Sequence, residues 1–201
     1  MIITPKHSLI LTLSISASLA TQLPSPSFNC KQATTKDEKT ICSDPDLAQL
    51  DRLLATLYKF ALEIPQIATS IKTAQIQWLK ERSSDRDALS QAYEKRINEL
   101  LSDKTLFTRA INYLLASVKD TQEQADTLTV LLATYLIDHQ SHSNNVQPTF
   151  EERLISDLYI LSDKKALAIY CTFRGPYNTT FKAYIIDVTN TQPPIKEVLF
   201  P

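Results

Sequence analysis

Apolar side chains recur every three or four residues along the first two thirds of the chain, the spacing that places them on one face of an α-helix. Within residues 28–102 the stretches begin at capping signals: Thr35 and Glu38 are spaced as a capping box, and Asp44 precedes a proline. The pattern predicts a short helix followed by three longer helices, packed as a bundle. Its stripes place three large side chains in the core, namely Tyr58, Trp78 and Tyr93, and Leu79 helps to mark the third helix.

Residues 103–139 carry two more apolar stripes, one of them including Tyr113, and are predicted to form a helical connector. Residues 140–152 are polar and are interpreted as a linker. In residues 153–201, β-branched and aromatic runs alternate with turn residues, which predicts an antiparallel β-meander of three or four strands. The last run stops where the sequence stops, so a truncated sheet is expected. The predicted fold class is α+β.

The N-terminus has the pattern of an export signal. Lys6 and His7 precede an uncharged run, Ser8–Leu19, and small residues surround Ala20. The run is shorter than the roughly 20 residues that cross a bilayer. Residues 1–20 are therefore predicted to be a cleaved signal peptide, which leaves a periplasmic or secreted protein without stable membrane insertion.

Export would place the three cysteines in an oxidising compartment. Cys30 and Cys42 are close in sequence, and in an oxidising compartment a disulfide is the expected outcome, whereas cytosolic thiols at this spacing would more often be a metal or redox pair. The bridge would stabilise the fold by about 2.5–3 kcal/mol. Cys171 remains odd, either free and buried or without its partner. The bundle is thus predicted to be disulfide-stapled.

Composition excludes several functions. The formal net charge is −1, so no basic field favours nucleic acid, and the single glycine, Gly175, cannot build a phosphate-binding loop. Asp138, His139 and His142 are interpreted as a helix end and a solvated linker, not as a zinc site. No pair of carboxylates is singled out as catalytic. The protein is predicted to be non-enzymatic and to need no cofactor.

Three motifs in the first half resemble a known family. F-N-C with A-T-T-x-x-E-K-T-I-C-S-D-P-D-L-A-x-L-D, then Q-W-L-x-x-R, then Y-x-x-R-I-x-x-L, resemble the LprI-like lysozyme-inhibitor N-terminal domain family of exported bacterial proteins over about residues 28–101. The resemblance implies a helical domain. It marks seven residues as motif or binding positions: Glu38, Asp44, Asp51, Tyr58, Trp78, Arg82 and Tyr93. Trp78 has two interpretations, a core anchor or an exposed binding anchor.

The C-terminal part resembles a second group. Tyr170-Cys171-x-x-Arg174-Gly175-x-Tyr177-Asn178 is similar to the opening of an uncharacterised exported bacterial domain with a C-x-x-G-A-Y-N-like motif. That resemblance implies that Cys171 is half of a missing disulfide and that the chain is a shortened relative.

The leading hypothesis is an exported envelope protein that acts as a binding module. The family name implies lysozyme inhibition, with lysozyme or another envelope protein as the partner, and the segment between Cys30 and Cys42 is the rigid candidate for entering the sugar cleft. The alternative is a structural or interaction domain that uses the edge of the C-terminal sheet, or a degenerate shortened homologue.

Overall fold

A computed structural model describes residues 25–117, 127–141, 155–174, 179–189 and 193–198. Within these ranges the chain forms six α-helices and a four-stranded antiparallel sheet, which confirms the α+β class. The helices, after a 3₁₀ turn at Cys30–Gln32, are α1 (Lys36–Ser43), α2 (Pro45–Leu62), α3 (Pro65–Glu81), α4 (Arg86–Leu101), α5 (Lys104–Ser117) and α6 (Thr127–Ser141). The strands are β1 (Ile155–Ser162), β2 (Lys165–Arg174), β3 (Thr179–Asp187) and β4 (Ile195–Val198).

The helix starts follow from short-range capping. Thr35 and Glu38 form the predicted capping box of α1, and the side chain of Asp44 accepts hydrogen bonds from two backbone N–H groups at the start of α2. Asp85 does the same for α4. Each cap satisfies donors that the first helical turn cannot pair internally.

The core lies between α2, α4, α5 and α6. Helices α2 and α4 bury apolar side chains in it, including Leu50, Leu57 and Ile97. Helix α6 adds Leu132 and Leu136 to the same cluster. Truncating one such buried leucine to alanine typically costs about 2–5 kcal/mol. The connector helices therefore belong to the same core as the bundle. The boundaries of the predicted domains stay predictions.

The helix α3 is peripheral. It packs mainly on α2, and Gln75 is its only buried residue. Leu79, one of the apolar residues that mark this helix in the sequence, is 48% exposed. Tyr113 of α5 is also exposed, with its ring against Phe60. Tyr58 is only half-buried, so its core assignment was wrong.

The sheet is the predicted meander, with strand order β1-β2-β3-β4. The inner face meets the helices, and its residues belong to the same core cluster as α2 and α6: Ala166, Ala168, Tyr184, Ile186 and Ile195. The side chain of Gln140 in α6 donates a hydrogen bond to the carbonyl of Ile195 at 2.8 Å, which ties the short β4 to the helices.

His139 lies in the last turn of α6. Its ring is half-buried against Phe107, with ring centroids 5.6 Å apart, and burial lowers the pKa of the imidazole. His142 lies outside the described residues, as do the predicted signal peptide and residues 175–178. Within the described ranges no helix is both long and apolar enough to span a membrane.

Candidate functional site

The predicted disulfide joins Cys30 and Cys42 and closes a segment over one end of the bundle, with Cα atoms 5.7 Å apart. Cys30 lies in the 3₁₀ turn and Cys42 in the last turn of α1. Glu38 fixes the start of α1 within this segment, because its carboxylate accepts hydrogen bonds from the backbone N–H groups of Thr34 and Thr35. These two bonds lower the pKa of Glu38.

A buried hydrogen-bond network lies beneath this segment and centres on Asp51. The Asp51 side chain accepts three hydrogen bonds, from the Tyr93 hydroxyl at 2.8 Å and from the backbone N–H and the hydroxyl of Ser27 at 2.7 and 2.6 Å. Burial, followed by the negative charge of Asp51, raises the pKa of the Tyr93 phenol. The phenol thus stays protonated and donates. Asp51 is a structural acceptor that joins α2 to α4 and to the irregular segment before the 3₁₀ turn.

Arg82 extends the network to α1 and α3. Its Nε donates to the Asp37 carboxylate at 2.6 Å, its Nη1 donates to the Tyr93 hydroxyl at 3.3 Å, and its guanidinium lies over the Trp78 ring, 5.5 Å from the centroid. Burial acts to raise the pKa of Asp37, but the hydrogen bond with Thr35 and the charge of Arg82 outweigh it, and the net pKa is lowered.

Trp78 is a half-buried anchor between helices. Its ring meets Tyr93 edge-on with centroids 5.0 Å apart, and its indole N–H donates to the carbonyl of Ala92 at 3.3 Å. Three of the motif positions, Trp78, Arg82 and Tyr93, are therefore in mutual contact. They hold the third and fourth helices and α1 in place.

A second cluster of charges lies where α2 and α4 begin, next to the end of α1. Arg86 contacts Asp44, Asp46 and Asp87 at 2.9, 3.5 and 3.3 Å, and Asp85 precedes it as the cap of α4. We name these five residues the acidic corner. Burial acts to raise the pKa of Asp44, but its hydrogen bond from Arg86 and those from two backbone N–H groups prevail, and the pKa is lowered.

The corner is joined to the disulfide-closed segment. Asp44 follows Cys42 by two residues, and the hydroxyl of Thr40 in α1 donates to the carbonyl of Ser84 at 3.3 Å. Asp87 of the corner is highly accessible, with 81% of its side chain exposed. The corner thus presents negative charge to solvent on a rigid, disulfide-closed base.

The family model of the lysozyme inhibitor LprI matches residues 30–128. Residues 30–128, just under half of the chain, are thus similar to the LprI family. The match begins at the first cysteine of the disulfide and continues past the quoted motifs through α5. No curated protein and no solved structure matches the chain.

Of the seven positions that the LprI resemblance marks, six fall into two groups. Asp51, Trp78, Arg82 and Tyr93 converge in the buried network; Glu38 and Asp44 are helix caps, and Asp44 also belongs to the acidic corner. Tyr58 lies on α2 and makes no contact with either group among the interactions described. Whether any of them binds a partner stays a prediction.

The C-terminal motif positions are not brought together with these residues. Cys171 lies in β2, where its backbone pairs with Phe181, and Gly175, Tyr177 and Asn178 lie outside the described residues. The resemblance of this stretch to a second exported domain stays a prediction.

Sequence reasoning missed Ser27. It lies in a polar, proline-rich stretch before the first helix, yet it supplies two of the three hydrogen bonds to Asp51. No local signal in the sequence marks this contact. Arg96, part of the quoted Y-x-x-R motif, is buried and binds Gln75 at 3.2 Å and Glu99 at 3.0 Å, joining α4 to α3.

The arrangement favours shape and charge recognition over catalysis. The carboxylates of the network and the caps accept hydrogen bonds from fixed donors, so they are held as acceptors and not poised to transfer protons. Among the described residues, no group of three histidine, cysteine or acidic side chains is placed to hold a metal ion.

Proposed function

We propose that the protein is exported and acts outside the cytoplasm as a non-enzymatic inhibitor of lysozyme. The observation that carries the proposal is the match to the lysozyme inhibitor LprI family over residues 30–128. Two features support the location: the export-type pattern of residues 1–20 and a disulfide, which persists in oxidising compartments.

The acidic corner is the surface that we propose meets the enzyme. Its four carboxylates and one guanidinium carry a net charge of about −3, and many lysozymes are strongly basic, so attraction would steer the encounter. The disulfide-closed segment itself is less suited to binding a basic enzyme. Its exposed charges are Lys31, Lys36 and Lys39, while Asp37 is held by Arg82 and Glu38 by backbone donors.

In this proposal the disulfide acts through rigidity. The closed segment fixes the end of α1, and α1 leads directly to the cap of α2 at Asp44. A surface that is ordered before binding loses less conformational entropy when the complex forms. The bridge therefore supports the corner rather than entering the sugar cleft itself.

The experiment is lysozyme-driven clearing of a peptidoglycan suspension, followed by turbidity, with and without the purified protein. We expect slower clearing at micromolar inhibitor, and we expect Asp87→Lys to weaken inhibition several-fold at low salt, because a rim charge acts chiefly on the association rate. The difference from the wild type should shrink as salt screens the charges.

The matched control is Asp163→Lys, the same charge reversal in the exposed turn between β1 and β2. This variant should inhibit as the wild type does. Equal loss in Asp163→Lys and Asp87→Lys would refute the acidic corner as the contact surface. No slowing by the wild-type protein at micromolar excess would refute inhibition itself.

A further inference from the structure

The outer face of the sheet is apolar and lies away from the helices. The register places Tyr159, Leu167 and Ile185 in one row across three strands, on the side opposite the residues that join the core. Phe181 lies further along β3 on the same side as Ile185, and Val198 of β4 pairs with Ala183 in the next row. Because side chains alternate along a strand, these residues form one continuous apolar surface.

The largest side chains of this face are accessible, whereas Ala183 between them is buried. Tyr159 is 49% exposed and Phe181 is 55% exposed, and Leu161, in the bulge at the end of β1, is 54% exposed. Helix α6 packs on β1 and reaches the sheet from the core side. No other helix packs closely on the sheet within the described part of the chain.

The size of the face sets what could cover it. Four strands spaced about 4.8 Å apart, with a mean length near 26 Å, give roughly 500 Å². Two such faces together would bury about 1,000 Å², slightly below the standard range for stable complexes. Area alone does not fix affinity, but interfaces at this end of the size range are typical of weak, transient association, and we expect a dissociation constant in the micromolar range.

The charges of the face are self-complementary. Lys165 and Asp187 pair with each other at 3.0 Å, which leaves an acid at one edge, Asp157 on β1, and a base at the opposite edge, Lys196 on β4. Both are exposed, and neither has an ion-pair partner among the described residues. A surface with opposite charges on its two edges fits a second copy of itself.

We propose that the outer face binds a second copy of this chain, with the two sheets face to face about a two-fold axis parallel to the strands. This axis reverses the strand order of the second sheet, so that β1 lies over β4 of the second copy. Asp157 then lies over Val198 of that copy, two residues or about 7 Å from Lys196, which is within reach of a lysine side chain. A two-fold axis across the strands would instead place like charges together.

The central strands carry the apolar contact. With the axis between β2 and β3, Phe181 and Ile185 of one copy lie over β2 of the other, where Leu167 is half-exposed. Packed sheets lie about 10 Å apart, a separation that interdigitated side chains of this size fill. The partner surface is thus the sheet face, not the sheet edge.

Sedimentation velocity of the full chain tests the proposal, over about 1–300 μM, a range that brackets the expected dissociation constant. We expect a monomer–dimer equilibrium, and Phe181→Lys should raise the dissociation constant at least tenfold. Leu161→Lys should also weaken the dimer. Leu79→Lys, the same substitution at the similarly exposed site on α3, should leave it unchanged.

A charge swap tests the axis without altering an apolar residue. Asp157→Lys and Lys196→Asp should each weaken the dimer, and an equimolar mixture of the two variants should restore it, since both edge contacts then join opposite charges. A chain that stays monomeric throughout, a dimer that ignores Phe181→Lys, or a mixture without recovery would overturn the proposal. So would a monomer that binds phospholipid vesicles through Phe181, because the face would then have another occupant.

Discussion

Replacing Tyr93 by phenylalanine removes one oxygen atom from the buried network and leaves the ring in place. The hydroxyl donates to Asp51 at 2.8 Å and accepts from Arg82 at 3.3 Å, while the ring contact with Trp78 needs no oxygen. The substitution therefore removes hydrogen bonds without creating a large cavity. Asp51 would remain buried with only the two donors from Ser27.

The expected cost follows from the charge of the acceptor. A hydrogen bond to a charged group contributes about 1.5–3 kcal/mol, and leaving part of a buried carboxylate unsatisfied adds its desolvation. We expect Tyr93→Phe to lower the free energy of unfolding by about 2 kcal/mol. For a chain of this size that corresponds to a fall of roughly 4–8 °C in the midpoint of thermal unfolding.

The assay is urea unfolding near neutral pH, followed by circular dichroism and by tryptophan fluorescence, since coincident curves are needed for a two-state free energy. Tyr58→Phe is the matched control, the same substitution on a half-buried tyrosine of α2, and should change the free energy by less than about 0.5 kcal/mol. If the two variants were equally stable, the Tyr93 hydroxyl would not hold Asp51. Ser27→Ala combined with Tyr93→Phe should be non-additive, because both contact the same carboxylate.

Three further perturbations test other parts of the fold. Cys30→Ser with Cys42→Ser should lower the free energy of unfolding by about 2.5–3 kcal/mol, measured by urea unfolding, because the unfolded chain regains its loop entropy. Arg86→Gln should make the free energy of unfolding less sensitive to acid. The lowered pKa of Asp44 stabilises the fold above the unfolded pKa of 3.8, and that stability is lost as pH falls through the folded pKa. His139→Gln should reduce the loss of stability below pH 6.5, because the buried imidazole has a lowered pKa and resists protonation in the folded state.

Each of these has a result that would contradict it. The serine variant should match the wild type measured under reducing conditions; a gap between them would point to an effect other than the bridge. Arg52→Gln, on the exposed side of α2, is the control for Arg86→Gln and should keep the wild-type pH dependence. An unchanged difference between the stabilities at about pH 7.5 and about pH 5.5 in His139→Gln would exclude the imidazole as its source.

Short-range chemistry made part of the fold predictable. The capping box of α1 and the Asp44 cap of α2 need only neighbours within four residues, and the α2 and α4 stripes report the face that becomes buried. The period of α3 is equally helical, but it does not say how much of the helix a neighbour covers. Leu79 is exposed because α3 lies at the edge of the bundle.

The candidate site needed long-range information. Asp51 and Tyr93 are 42 residues apart, and Arg82 and Asp37 are 45 apart, so their contacts depend on how the helices pack. The resemblance to a family marked most of these residues but did not indicate which of them contact each other. Nothing in the sequence indicates the role of Ser27, because a serine in a polar stretch is common and its contact with the buried Asp51 depends on the fold.

The short span of the disulfide has a consequence for biogenesis. Cys30 and Cys42 are separated by 12 residues, whereas Cys171 is 129 residues beyond Cys42. Loop-closure statistics favour the near pairing roughly 35-fold in an unstructured polypeptide. Oxidation can therefore select the native partner while the chain is still emerging, before any helix packs, and a thiol far downstream would meet a bond already made.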